Sequence, residues 1–158
     1  MTMQRAATLV RPMTTQVRQV EIPEPTANQV RVCLQGSGIC ASNLPVWEGR
    51  PWFNYPMDAG SPGHEGWGIV DAVGSAVRDL EIGQRVALMS GHAYAQYDVA
   101  ARECVVPLPR ELDDEPFPGE PLACAMNIFE RSDIHRGRDG NRSAARAIAS
   151  CWSQRISM

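Results

Sequence analysis

Apolar and polar positions alternate regularly through the first two thirds of the chain. In "QVRVCL" (29–34), Val30, Val32 and Leu34 alternate with their neighbours at the period of two expected of a strand with one buried face. The same reading predicts strands over 15–22, 66–74, 84–89, 94–100 and 103–108. Turn-forming stretches separate them: "PEPTAN", "EGRPW", "NYPMDAGSPG" and "LEIG". Short strands punctuated in this way predict a small barrel or sandwich. The period changes near Pro121. Leu122, Ala125, Met126 and Phe129 fall at helical spacing, which predicts a helix with one apolar face. Pro121 suits the first helical position and Glu120 the positive end of the dipole. Past His135, Ile148, Cys151, Trp152 and Ile156 fit one helix face with Ser143 as its cap. A weakly ordered Arg-rich tail is the simpler reading there.

Composition narrows the function classes. A chain of 158 residues suffices for one domain with a core. No apolar run approaches the ~20 residues of a membrane span, and "MTMQRAATLV" lacks a signal-peptide core, which predicts a cytoplasmic protein without a membrane partner. Five cysteines with no C-x-x-C pair argue against a disulfide framework and against a four-cysteine zinc lobe. Free thiols in a reducing compartment fit better. All 15 basic residues are arginine. Residues 1–134 carry 10 of them against 17 acids, whereas 135–158 carry five against one. An acidic body argues against nucleic acid as a partner.

Three stretches carry residue types with chemistry. "GSGICASN" (36–43) follows a predicted strand, but the third glycine of a dinucleotide loop is replaced by Ala41, and Pro45, Gly49 and Pro51 break any following helix. Gly36 and Gly38 therefore read as shaping a tight turn or bulge. Cys40 alone reads as a small buried apolar residue. "SPGHEGWG" (61–68) sets His64 and Glu65 side by side, and "GEPLACAMN" (119–127) places Glu120 before a helix. Taken singly these are a surface loop and a helix-terminus carboxylate. Together, one thiolate, one imidazole and one or two carboxylates form a mixed donor set suited to Zn²⁺.

"GSGICASN", "PGHEGWGIVDAVGSAV", "IGQRVAL" and "GEPLACAMN" resemble, in order and spacing, the successive motifs of zinc-dependent medium-chain alcohol and polyol dehydrogenases. The resemblance covers about residues 5–137. It implies a mainly β fold, the GroES-like partly open β-barrel with a few short helices that forms that family's N-terminal catalytic domain. On this basis 1–134 are expected to be that domain and 135–158 an atypical Arg-rich tail. The resemblance implies that Cys40 and His64 are catalytic zinc ligands, Glu65 a conditional carboxylate ligand, and Glu120 the third protein position. A glutamate there is similar to the polyol, sugar and threonine branch. Ser42 matches the catalytic hydroxyl that begins the proton relay. The implied activity is oxidation of an alcohol or polyol with NAD(P) as hydride acceptor in a complete family member. Cys124 and Cys104 read as core packing, and His92 as a loop residue. Trp47, Trp52 and Phe53 either line the substrate cleft or pack under a loop.

Three departures from the family pattern stand out. Asn43 replaces an aspartate that would orient the histidine ligand, removing a negative charge. The four-cysteine structural zinc lobe is missing. After "DIHRG" the expected strand and G-x-G-x-x-G of a Rossmann domain do not follow. A lysine-free, Arg-rich chain is the mark of GC-rich coding DNA, so the ending reads as a frameshift product. The other two frames past Gly137 would test this. The chain is then expected to be inactive alone, with an exposed apolar surface that favours a homo-oligomer. The alternative is a non-catalytic metal-binding or interaction module.

Overall fold

The computed structural model describes residues 1–131. The proposed boundary after 134 and the tail beyond it lie outside the described residues. β1 (Met3–Arg11) and β2 (Thr14–Glu21) form an antiparallel hairpin turned through Met13, which adopts a positive φ of 58°. A second sheet contains β3 (Gln29–Gly38), β4 (Glu65–Val73), β5 (Arg85–Leu88), β6 (Tyr97–Ala101) and β7 (Val105–Pro107). Its strand order is β6-β3-β4-β5-β7, with every pairing antiparallel. β6 and β7 do not pair with each other, so the barrel predicted from the short strands is a partly open one. The hairpin joins it through an Ala6–Ala95 bridge and the Ala7 N–H to Tyr94 carbonyl bond of 2.8 Å.

The alternating strands of the second sheet behave as their pattern demands, whereas β2 is exposed along nearly its whole length, Val17 at 69%. Val30, Val32, Val70, Val86, Leu88 and Val105 are all at most 1% exposed and form the centre of the core. Each such side chain contributes about 1.5–3 kcal/mol by leaving water. β5 is buried along its whole length. β1 escaped the alternation because its inward row is Gln4, Ala6 and Thr8. The buried Gln4 side chain is nevertheless satisfied, its Oε1 accepting the Tyr97 N–H at 2.7 Å. The segment 103–108 divides into a 3-10 turn (Arg102–Cys104) and β7.

Between β3 and β4 the chain makes a 3-10 turn (Ala41–Asn43) and a short helix, α1 (Leu44–Glu48), stopped by Gly49 at φ 83°. This excursion is pinned to β1 and to the turn that follows it by three backbone bonds. Met13 donates to Trp47, Met57 to Leu9, and Gly60 to Ala7, at 2.9, 2.9 and 2.7 Å.

α2 (Gly119–Arg131) is the predicted helix, but it rests on a different face from the one expected. Gly119, Glu120 and Ala123 are buried, whereas Leu122, Met126 and Ile128 are 55%, 39% and 70% exposed. The helix lies on β4 and β5, and its small residues permit the close approach. The thiol expectation also needs correction. Cys33, Cys40 and Cys124 are free, but Cys104, buried in the core as predicted, is disulfide-bonded. No helix among the described residues is long and apolar enough to cross a membrane.

Candidate metal centre

The pairing register of β3 with β4 builds the site. Gly36 stands opposite Trp67 and Gly38 opposite Glu65, with a register shift between Leu34 and Gly36. Of the tight turn or bulge expected there, the two glycines form the bulged strand end, and both are required by what faces them. A Cβ on Gly36 would lie 2.2 Å from the Trp67 ring, and one on Gly38 would lie 1.9 Å from Glu65 Oε2. Gly38 leaves the space that the Glu65 carboxylate fills. Because Gly38 and Glu65 are partners, Cys40 two residues later and His64 one residue earlier arrive at the same end of the sheet.

The result is a group of three donors. Cys40, His64 and Glu65 each offer a ligand atom, and these atoms all lie within 4.8 Å of one another. The His64 ring is fixed by its Nδ1–H donating to the Pro62 carbonyl at 2.9 Å. That leaves Nε2 as the atom with a free lone pair. Nε2 is buried without a hydrogen-bond partner. An orphaned polar atom of this kind costs about 1–3 kcal/mol, which a cation would relieve. Glu65 is itself buried, at 7% exposure. Sulfur, nitrogen and oxygen donors in this number fit Zn²⁺.

Glu120 lies in the first turn of α2, 2% exposed, but outside the group of three. Its Oε1 instead accepts from Cys124 Sγ at 2.9 Å. Cys124 was read from sequence as core packing. The structure places it one helical turn from Glu120 on the same face. Burial pushes its thiol up to about 12, helped by the bond to Glu120 and by the charges of Glu120, Cys40 and Glu65. The spacing of Glu120 and Cys124 was the available signal.

Ser42 is exposed within the 3-10 turn, two residues past Cys40. The Asn43 amide donates to Tyr94 Oη at 2.5 Å, and that hydroxyl donates to the Gly38 carbonyl at 3.3 Å. Among the described residues Asn43 makes no bond to His64. The task of orienting the imidazole falls to the Pro62 carbonyl, which the loss of an aspartate at 43 does not touch. Burial raises the Tyr94 pKa, and the charges of Glu65 and Cys40 add to the rise against the Asn43 bond. Trp47 lines an apolar cavity beside Cys40. Trp52 and Phe53 pack on each other, centroids 6.0 Å apart. His92 is half exposed, its backbone N–H bonded to Asp98, and takes no part in the donor group.

A partly open antiparallel barrel thus carries a mixed donor group at the junction of two strands. The description "Alcohol dehydrogenase GroES-like domain" matches residues 26–110, and the chain belongs to this family. Over 139 residues it is 30% identical to an alcohol dehydrogenase of Geobacillus stearothermophilus, covering 70% of this chain and 40% of that one. Sorbitol dehydrogenase of Ovis aries is 41% identical over 70 residues, 44% of this chain and 20% of that one. Among solved structures, galactitol-1-phosphate dehydrogenase from Escherichia coli superposes with a TM-score of 0.66 at 26% identity, covering 80% of this chain and 44% of that one. The chain thus spans less than half the length of these relatives.

Proposed function

We propose that residues 1–131 form the metal-holding and alcohol-holding part of a zinc-dependent oxidoreductase that converts an alcohol or polyol to a carbonyl compound while NAD(P)⁺ accepts a hydride. The observation that carries this reading is the convergence of Cys40, His64 and Glu65 around the orphaned His64 Nε2. Zinc held there would lower the pKa of a substrate hydroxyl. The Pro62 carbonyl keeps the imidazole in the tautomer that leaves Nε2 available. Glu65 supplies a buried carboxylate in the space left by Gly38, and Glu120, buried in α2, is a further carboxylate. Ser42, two residues past Cys40, is the hydroxyl through which the substrate proton leaves. NAD(P) as acceptor is supported by a protein of Sinorhizobium meliloti 1021 assigned to the zinc-binding dehydrogenases and solved with NADP, 26% identical with a TM-score of 0.69.

A second reading, a metal-binding module without turnover, rests on the same donor group alone. Elemental analysis after dialysis against zinc tests what both readings share. About one zinc per chain is expected, lost in Cys40→Ser and in His64→Gln. A protein that retains no zinc would overturn both. NAD⁺ reduction by the purified chain would overturn the second.

A further inference from the structure

The strand register that builds the donor group stops short of two of its three members. β3 ends at Gly38 and β4 begins at Glu65, and these two form the last pair of the ladder. Cys40 and His64 both lie beyond it, each on a loop arm. Cys40 opens the 3-10 turn without a side-chain capping bond of its own. What fixes the arms relative to each other is therefore a contact outside the ladder, and Tyr94 touches both. On the His64 side the main chain does the holding. The Tyr94 N–H donates to the Gly60 carbonyl and the Ala93 N–H to the Gly63 carbonyl, both at 3.0 Å. A Cβ on Gly63 would lie 2.5 Å from the Tyr94 nitrogen, so this loop is pressed against residue 94. On the other side the Tyr94 hydroxyl bonds on either side of Cys40 in the chain. It donates to the Gly38 carbonyl at 3.3 Å and accepts from the Asn43 amide at 2.5 Å. The Asn43 N–H closes the turn on the Cys40 carbonyl at 3.0 Å.

We propose that Tyr94 is a positioning residue of the metal centre, whose hydroxyl holds the Cys40 arm against the His64 arm so that thiolate and imidazole reach one ion. Tyr94 is not a member of the donor group and acts through the two arms. Donors held in place before an ion arrives bind it more tightly, because ordering the arms no longer opposes binding. Ser42 lies between Cys40 and Asn43, so the same hydroxyl steadies the turn on which Ser42 stands. The inference rests on the zinc-dependent reading above, whereas the tie between the arms belongs to the chain and does not need the ion.

The test is Tyr94→Phe in the full chain, which keeps the ring and removes only the hydroxyl. Zinc affinity, titrated against a chromophoric chelator, is expected to fall about tenfold, the lower end of what outer-sphere support is worth. Asn43→Ala leaves the Tyr94 bond to Gly38 in place and should cost less than about threefold. A second measurement needs no metal. In zinc-free Tyr94→Phe, hydrogen exchange at the Asn43 amide should quicken severalfold. Exchange at the Val70 amide, which donates to the Gln84 carbonyl at 2.9 Å in the second sheet, should stay at the wild-type rate. A merely structural role would quicken both. Wild-type zinc affinity in Tyr94→Phe, unchanged exchange at Asn43, or acceleration shared equally by Val70 overturns the proposal. If the wild-type chain binds no zinc, the dehydrogenase reading falls, and exchange alone decides whether the hydroxyl ties the arms: selective acceleration at Asn43 upholds the tie, and any other result overturns it.

Discussion

Gly38→Ala separates a metal site built by strand register from a chance gathering of donors. The new Cβ would sit 1.9 Å from Glu65 Oε2 and 3.1 Å from Glu65 Cβ and Cδ. Ordinary contact begins near 3.4 Å, so the carboxylate must withdraw by about 1.5 Å. A side-chain rotation achieves this for the oxygen. The Cβ is anchored on β4 and yields only a few tenths of an ångström, at a cost of about 1–2 kcal/mol. The fold therefore survives and the donor group loses its oxygen. Outer-sphere support alone is worth about 10–100-fold in metal affinity, so displacing a donor should weaken zinc by at least that factor. The assay is zinc titration against a chromophoric chelator, with urea midpoints measured in parallel. Gly36→Ala is the matched control. Its Cβ meets the rigid Trp67 ring at 2.2 Å, so it should cost about 1–3 kcal/mol of stability and leave zinc affinity nearly unchanged. Wild-type zinc affinity in Gly38→Ala, or equal losses of affinity in both variants, would refute the reasoning.

Asn43→Ala should change zinc affinity less than about threefold, since the Pro62 carbonyl and not Asn43 holds His64; a loss on the ~10–100-fold scale of outer-sphere support would contradict that assignment. Arg85→Met should lower the urea midpoint by an amount equivalent to about 3 kcal/mol. The buried guanidinium bonds Gln35 Oε1 at 3.0 Å and the carbonyls of Leu112 and Glu115, and all three acceptors would lose their donor. Asp79→Asn should cost less than about 1 kcal/mol by the same measurement, because the Arg102 pair that lowers the Asp79 pKa is largely exposed. In the metal-free protein the Cys124 thiol, held up to about 12 mainly by burial, favours the folded state only while protonated. That stability is complete below the unfolded thiol pKa of about 9 and declines as pH rises toward 12. Urea midpoints above pH 9 should fall more steeply for the wild type than for Cys124→Ser.

Strands with apolar inward rows were legible in the sequence, and so was β2, although nearly its whole length is exposed. β3, β4 and β5 announced themselves through valines and leucines. β1 did not, because Gln4 and Thr8 occupy inward positions; Gln4 accepts the Tyr97 N–H from a strand far along the chain and Thr8 Oγ1 is buried without a hydrogen-bond partner, neither of which a periodicity encodes. The candidate donors Cys40, His64 and Glu65 were named from residue type and motif order, but what brings them together is the Gly38–Glu65 pairing, a register set by contacts between strands 27 residues apart. The same long-range register explains the glycines of "GSGICASN". A local reading sees two flexible residues and leaves a turn or a bulge open; the bulge forms, and each residue is small because of the side chain opposite it.

α2 shows the converse case, in which a strong local pattern points the wrong way. Its apolar positions at 122, 125, 126 and 129 satisfy the helical period, yet the face that packs carries Glu120, Ala123 and Cys124. Hydrophobicity alone would reverse that choice, since burying a carboxylate is costly and burying leucine and methionine is favourable. The inverted orientation is intelligible if the helix is positioned by the chemistry it delivers. Turned this way, it brings a carboxylate and a thiol toward β4 and β5, beside Cys40 and Glu65. That orientation sets the Glu120 carboxylate and the Cys124 thiol within electrostatic reach of Cys40 and Glu65.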